Sequence, residues 1–173
     1  MNNRARRRLS LTLLAALGAV LVALPSAAQS TPPEATCAAT PLEDRLPSII
    51  APMAGQHPVW LVGGSFGRWY GSTELVKSVW VLARDVPGDL VLRGHQRDGD
   101  GILRFQDGVD ASPVDTLVVA GPNRRSVVPG GASREIMQDY AFYPMYLIYP
   151  SPGCWEVNAR LGDEEVQIVV ELK

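Results

Sequence analysis

The closing stretch of the chain, Tyr149 to Lys173, constrains the fold more than any other segment. Trp155, Val157 and Ala159 fall on one face of an extended run, and after a Gly162-Asp163 turn Val166, Ile168, Val170 and Leu172 fall on one face of the next. Side chains alternate across a strand, so this period-two spacing gives each run a single apolar side. Two such runs joined by a tight turn form the terminal hairpin of a half-buried antiparallel sheet. Cys154 stands at the entrance, out of phase with Trp155 and Val157, and therefore points away from the core.

Further strand-like runs are expected at 49–53, 59–62, 77–84, 89–93, 102–105, 116–120 and 142–149. Between them stand Gly63-Gly64, Pro87-Gly88-Asp89, Asp98-Gly99-Asp100-Gly101, Gly121-Pro122-Asn123 and Pro129-Gly130-Gly131. Gly supplies positive φ, Pro presets one turn dihedral, and Asn or Asp can bond its own backbone, so these clusters read as turns. Lys77 to Arg93 reads as a second hairpin. Its first strand sets Val79, Val81 and Ala83 against Trp80 and Leu82, so both faces are apolar and both are expected to be covered. Single helical turns fit at 72–76 and 133–138, and nothing longer does. Short strands at this spacing, without long amphipathic helical runs, place the chain in the all-β class as a sandwich or barrel.

Arg4, Arg6, Arg7 and Arg8 form a basic head, Leu11 to Leu24 carry no charge, and Ser26-Ala27-Ala28 supplies the small residues read by a signal peptidase. Residues 1–28 are expected to be a cleavable signal peptide, cut before Gln29. The apolar run is shorter than a membrane span, which needs about 20 residues, and no cysteine follows the small residues to carry a lipid. The mature chain is expected to be soluble and exported, periplasmic or secreted, with no membrane span. Removing residues 1–28 takes four of 16 basic side chains and none of 18 acidic ones, leaving 145 residues with a formal charge of −6. That balance disfavours nucleic acid and anionic membrane as partners, because both are gripped through basic patches. Residues 29–47, rich in proline and polar side chains, read as an extended lead-in, and 48–173 as one domain.

Cys37 and Cys154 are the only cysteines, and an oxidising compartment lets them close into one disulfide. With Cys154 on the outer face, the bridge should staple the lead-in across the outside or edge of the sheet.

The segment Pro150-Ser-Pro-Gly-Cys-Trp-Glu-Val157, with its Gly turn and valine-rich last strand, resembles the C-terminal signature of a family of uncharacterised secreted bacterial proteins. The stretch from Val79-Trp80-Val81 through Arg93-Gly94 to Asp98-Gly99-x-Gly101-x-x-x-Phe105 is similar to the same family. Gly153-x-Trp155-x-Val157 also resembles the last two strands of immunoglobulin-like domains, although Pro152 stands where their corner tyrosine would. The resemblance implies an exported immunoglobulin-like antiparallel β-sandwich and no particular activity.

Sharper chemical readings compete with plainer ones. Gly63-Gly64-Ser65-Phe66-Gly67 matches the nucleophile-elbow pattern, but a strand-to-helix context is missing and Asp85 or Asp89 with His95 would compress a triad into about thirty residues. Asp98-Gly99-Asp100-Gly101 opens like a calcium loop, yet Ile102 begins the next strand, so a hairpin turn is the better account. His57 and His95, the only histidines, lack a third histidine or cysteine ligand and read as exposed loop residues, with no metal and no cofactor expected. Arg124-Arg125 could grip an anion but reads as solvated. The glycine-flanked set Phe66, Arg68, Trp69 and Tyr70 is the candidate binding loop, because large rings at the end of a sandwich stack on sugars or fill a partner's pocket. The alternative is that these rings cap the core. The expectation is a non-catalytic binding or structural module of the cell envelope or extracellular space, its partner a protein or polysaccharide. The rival readings are a serine hydrolase using Ser65, and an inhibitor or accessory subunit of an exported enzyme.

Overall fold

The computed structural model describes residues 37–43, 52–63, 66–121 and 134–173, all within one compact unit spanning 34–173. The expected signal peptide, most of the lead-in, Ser65 and the Arg124-Arg125 loop lie outside the described residues. The elements are β1 (Met53–Gln56), β2 (Val59–Gly63), β3 (Val76–Ala83), β4 (Leu90–Gln96), β5 (Arg104–Gln106), β6 (Thr116–Val119), α1 (Arg134–Asp139), β7 (Tyr140–Ile148), β8 (Gly153–Leu161) and β9 (Glu164–Leu172). One sheet has the order β1-β2-β3-β7-β5 and the other β6-β4-β8-β9, with antiparallel pairing between neighbours.

The fold is a β-sandwich of immunoglobulin-like type. Pairing of β3 with β7 in one sheet, and of β4 with β8 and β8 with β9 in the other, reproduces the interlocked B–E and C–F–G strands of that fold. The chain departs from the usual order in one respect: it visits the strand beside β7 (β5) before the strand beside β4 (β6).

The terminal hairpin forms as the alternation predicts, with Trp155, Val157 and Ala159 of β8 and Val166, Ile168, Val170 and Leu172 of β9 buried in the main core. Leu61, Trp80, Leu82, Met145 and Leu147 face them from the other sheet. A second apolar cluster lies on the opposite face of that sheet, where Met53, Trp60, Val62, Val81 and Phe142 meet Ile136 and Met137 of α1. Trp80 and Val81 are both fully buried, so β3 is covered on both sides as its two apolar faces require.

Two local expectations are corrected. Residues 77–93 do not form a hairpin: β3 pairs with β2 and β7, while β4 pairs with β6 and β8 in the other sheet. The Pro87-Gly88 turn instead carries the chain across the sandwich, so that Trp80 and Leu82 face Leu90 and Leu92 through the core rather than lying beside them. Gly88 seats this crossing against the β8–β9 turn, since a Cβ there would lie 2.6 Å from the Gly162 Cα, and the Gly162 N–H donates to the Asp89 carbonyl at 3.1 Å. Residues 72–76 form a turn rather than a helical one, because the ladder between β3 and β7 already begins at Val76. The six-residue α1 occupies the other expected helical turn.

Cys37 and Cys154 are joined, with Cα atoms 5.5 Å apart. Cys154 alternates with the core residue Trp155, so the bridge lies on the outer face of its sheet as expected. From it the segment 37–43 runs as a strap between two edge strands. The Thr40 N–H donates to the Val169 carbonyl and the Val169 N–H to Thr40 Oγ1, both at 2.8 Å, while Glu43 and Met53 exchange backbone bonds of 2.9 and 3.3 Å. An uncovered edge invites pairing with another chain, and the strap engages both β9 and β1. Replacing both cysteines with serine should cost about 2–4 kcal/mol of stability, read by chemical denaturation. Amide exchange should accelerate at Val169 and Met53 more than in β3; uniform acceleration would mean that the strap is not a separate unit.

Candidate functional site

The Pro150–Val157 motif builds a corner at one end of the sandwich. The Asp98 carboxylate accepts the Cys154 N–H at 3.0 and 3.1 Å. Gln96 donates through Nε2 to the Pro152 carbonyl at 3.1 Å and accepts the Ser151 hydroxyl at 2.9 Å. The Trp155 indole N–H donates to the Ser151 carbonyl at 3.2 Å, and the Tyr149 ring meets Trp155 edge-on at 5.4 Å. Gly101 must lack a side chain, because its Cβ would stand 2.5 Å from the Trp155 ring. Residues 96–101 and 151–155 therefore interlock, and Asp98-Gly99-Asp100-Gly101 is the turn of a hairpin in which Leu103 N–H donates to the Gly94 carbonyl at 3.0 Å.

The candidate loop sits on this corner. Gly67 N–H donates to the Glu171 carbonyl at 3.0 Å and Trp69 N–H to the Lys173 carbonyl at 2.9 Å, so the loop runs parallel to the end of β9. The Trp69 indole N–H donates to the Tyr149 carbonyl at 3.1 Å. Phe66 and Trp69 are half-buried against the main core and act as its cap. Tyr70 behaves differently: it is 53% exposed, and the Arg68 guanidinium stands 4.9 Å from its ring centroid. The four residues thus divide into a buried pair that anchors the loop and an exposed pair, a cation stacked on a ring, that it presents.

Burial pushes the Tyr149 hydroxyl well above the ordinary value near 10.0. It therefore remains protonated in the folded chain at pH values where an unfolded chain ionises.

A concave surface elsewhere on the sandwich was not visible in the sequence. His57, Arg84, Asp85, Gln138, Asp139 and Tyr140 line a groove of about 390 Å³. They come from the β1–β2 turn, the end of β3 and the α1–β7 junction, segments whose proximity only the sheet order creates. His57 Nε2 lies 3.2 and 3.3 Å from the Asp85 carboxylate oxygens, and both side chains are largely exposed. His95 is also exposed, but it stands in a strand rather than a loop, one residue before the end of β4 and opposite Glu156. Asp89 accepts the Gly121 N–H at 2.9 Å. Among the described residues no three His, Cys, Asp or Glu side chains are placed to hold a metal, and no helix is long and apolar enough to cross a membrane.

No family model and no curated protein matches the chain. Among solved structures it is similar to a "putative lipoprotein from Bacillus anthracis", with a TM-score of 0.53, 13% identity, and coverage of 80% of this chain and 87% of that one. At that identity the similarity is one of fold.

Trp69→Phe, which keeps the ring but removes the bond to the Tyr149 carbonyl, should cost about 1 kcal/mol, whereas Tyr70→Ala should stay within about 0.5 kcal/mol of the parent. Denaturant titration reads both; equal losses would show that Tyr70 also supports the core. A raised folded-state pKa means stability is complete below pH 10 and falls as pH rises beyond it, since only the unfolded chain then releases the Tyr149 proton. Tyr149→Phe should flatten that decline in melting temperature relative to the parent chain.

Proposed function

We propose that the protein is an exported, non-catalytic binding or structural module of the bacterial cell envelope or extracellular space, with Arg68 and Tyr70 at the centre of its contact surface. The observation that carries this reading is the stacked, exposed Arg68–Tyr70 pair on a loop whose backbone is bonded to β9 and whose indole is bonded to Tyr149. A ring held in place before binding loses little conformational entropy when a ligand arrives. The disulfide fits an oxidising compartment, the arginine-headed N-terminus reads as an export signal, and the resemblance to secreted proteins points the same way. A polysaccharide or protein is the partner of choice.

Support for a non-catalytic role comes from the partners of the candidate acids. Asp85 is engaged by His57 rather than by His95, and Asp89 caps a backbone N–H, so neither orients His95 as a triad would require. The test is retention of the purified protein on cell-wall polysaccharides and on immobilised envelope proteins, comparing the parent chain with Arg68→Gln and Tyr70→Ala. Each substitution should weaken retention about tenfold or more, equivalent to about 1.4 kcal/mol, without altering the melting temperature. Retention that neither change affects would move the contact surface elsewhere, and labelling by a fluorophosphonate, lost in Ser65→Ala, would replace the reading with a serine hydrolase.

A further inference from the structure

The groove beside α1 is independent of the Arg68–Tyr70 loop, and its charges are unusual in one respect. Arg84 lines it together with two carboxylates, Asp85 and Asp139, yet no ion pair joins Arg84 to either. The arrangement is fixed by other bonds. Arg84 Nε donates to the Met137 and Tyr140 carbonyls at 3.1 Å each, and the Arg84 backbone N–H donates to the Asp139 carbonyl at 2.8 Å. Among the described residues, that leaves the two η nitrogens of the guanidinium without an acceptor. Asp85 is held by His57, and the Asp139 carboxylate has no partner among the described residues. Tyr140 forms one wall, its ring set edge-on against Trp60 at 5.6 Å and so backed by the second apolar cluster.

We infer that this groove binds a small zwitterion, a molecule carrying one ammonium and one carboxylate group, of which a free amino acid is the simplest example. The carboxylate meets the η nitrogens of Arg84, whose planar fork matches two oxygens. The ammonium meets the Asp139 carboxylate, with the negative charge of the His57-bound Asp85 carboxylate and the Tyr140 ring beside it. The inference rests on the sign pattern. A ligand with only a positive charge must sit beside Arg84, and one with only a negative charge must sit beside two carboxylates. A ligand with both charges satisfies each wall and repels neither. Sheet pairing and the carbonyl bonds to Arg84 fix the walls relative to each other, so the groups are placed before the ligand arrives. The volume of about 390 Å³ accommodates a ligand of amino-acid size.

The test is an amide-resolved NMR titration of the purified, disulfide-bonded protein with four probes: alanine, 5-aminopentanoate, butylamine and butyrate. Saturable shifts are expected at Arg84, Asp139 and Tyr140 with alanine or 5-aminopentanoate, and saturation by either supports the inference. The amine and the carboxylate should each bind at least tenfold more weakly than the better zwitterion. Asp139→Asn should weaken that zwitterion tenfold or more while leaving the rest of the amide spectrum in place, and Tyr70→Ala should leave its affinity unchanged. Butylamine or butyrate binding as tightly as the zwitterions would overturn the inference. So would the absence of saturable shifts with all four probes, or an Asp139→Asn chain that binds like the parent.

Discussion

Trp155 lies wholly buried between the sheets, and separate stretches of chain are organised around its ring. Gly101 gives way to it, Tyr149 packs against its edge, and the Ser151 carbonyl accepts its N–H. Truncating a buried tryptophan costs on the order of 3–5 kcal/mol, a large part of the margin of a single domain. Because the ring also fixes where the chain enters β8, it determines where Cys154 emerges on the opposite face. The disulfide, the strap and the loop base all follow from that one placement.

The strap and the candidate loop both engage the outer edge of β9. The strap residue Thr40 engages β9 at Val169, and the loop residues Gly67 and Trp69 engage it at Glu171 and Lys173. Successive points along one strand edge are therefore occupied by segments far apart in sequence. An edge managed in this way resists pairing with other chains. The same bonds give the loop a rigid footing, so that protection of β9 and presentation of Arg68 and Tyr70 are one structural arrangement.

Arg68, Trp69 and Tyr70 illustrate what separates an anchoring residue from an exposed one. Neighbouring aromatic rings have similar chemistry in the sequence, and nothing in their spacing says which one finds a carbonyl to bond. Trp69 finds that of Tyr149, a residue eighty positions away, and becomes part of the core cap. Tyr70 has the guanidinium of Arg68 as its neighbour and remains open to solvent.

Alternation of apolar residues by itself determined the β class, the terminal hairpin, the double coverage of β3 and the outward direction of Cys154, because side-chain direction in a strand is a local property of the backbone. The cysteine count likewise determined that one disulfide was available. Which strands become neighbours was decided only by the tertiary structure. The run from Lys77 to Arg93 has the local grammar of a hairpin, yet its halves enter different sheets, because facing one another across the core buries both apolar sides. The groove formed by His57, Arg84, Asp85 and Asp139 depends on that choice of neighbours, and long-range packing, which no local pattern encodes, is the physical reason it could not be read from the chain alone.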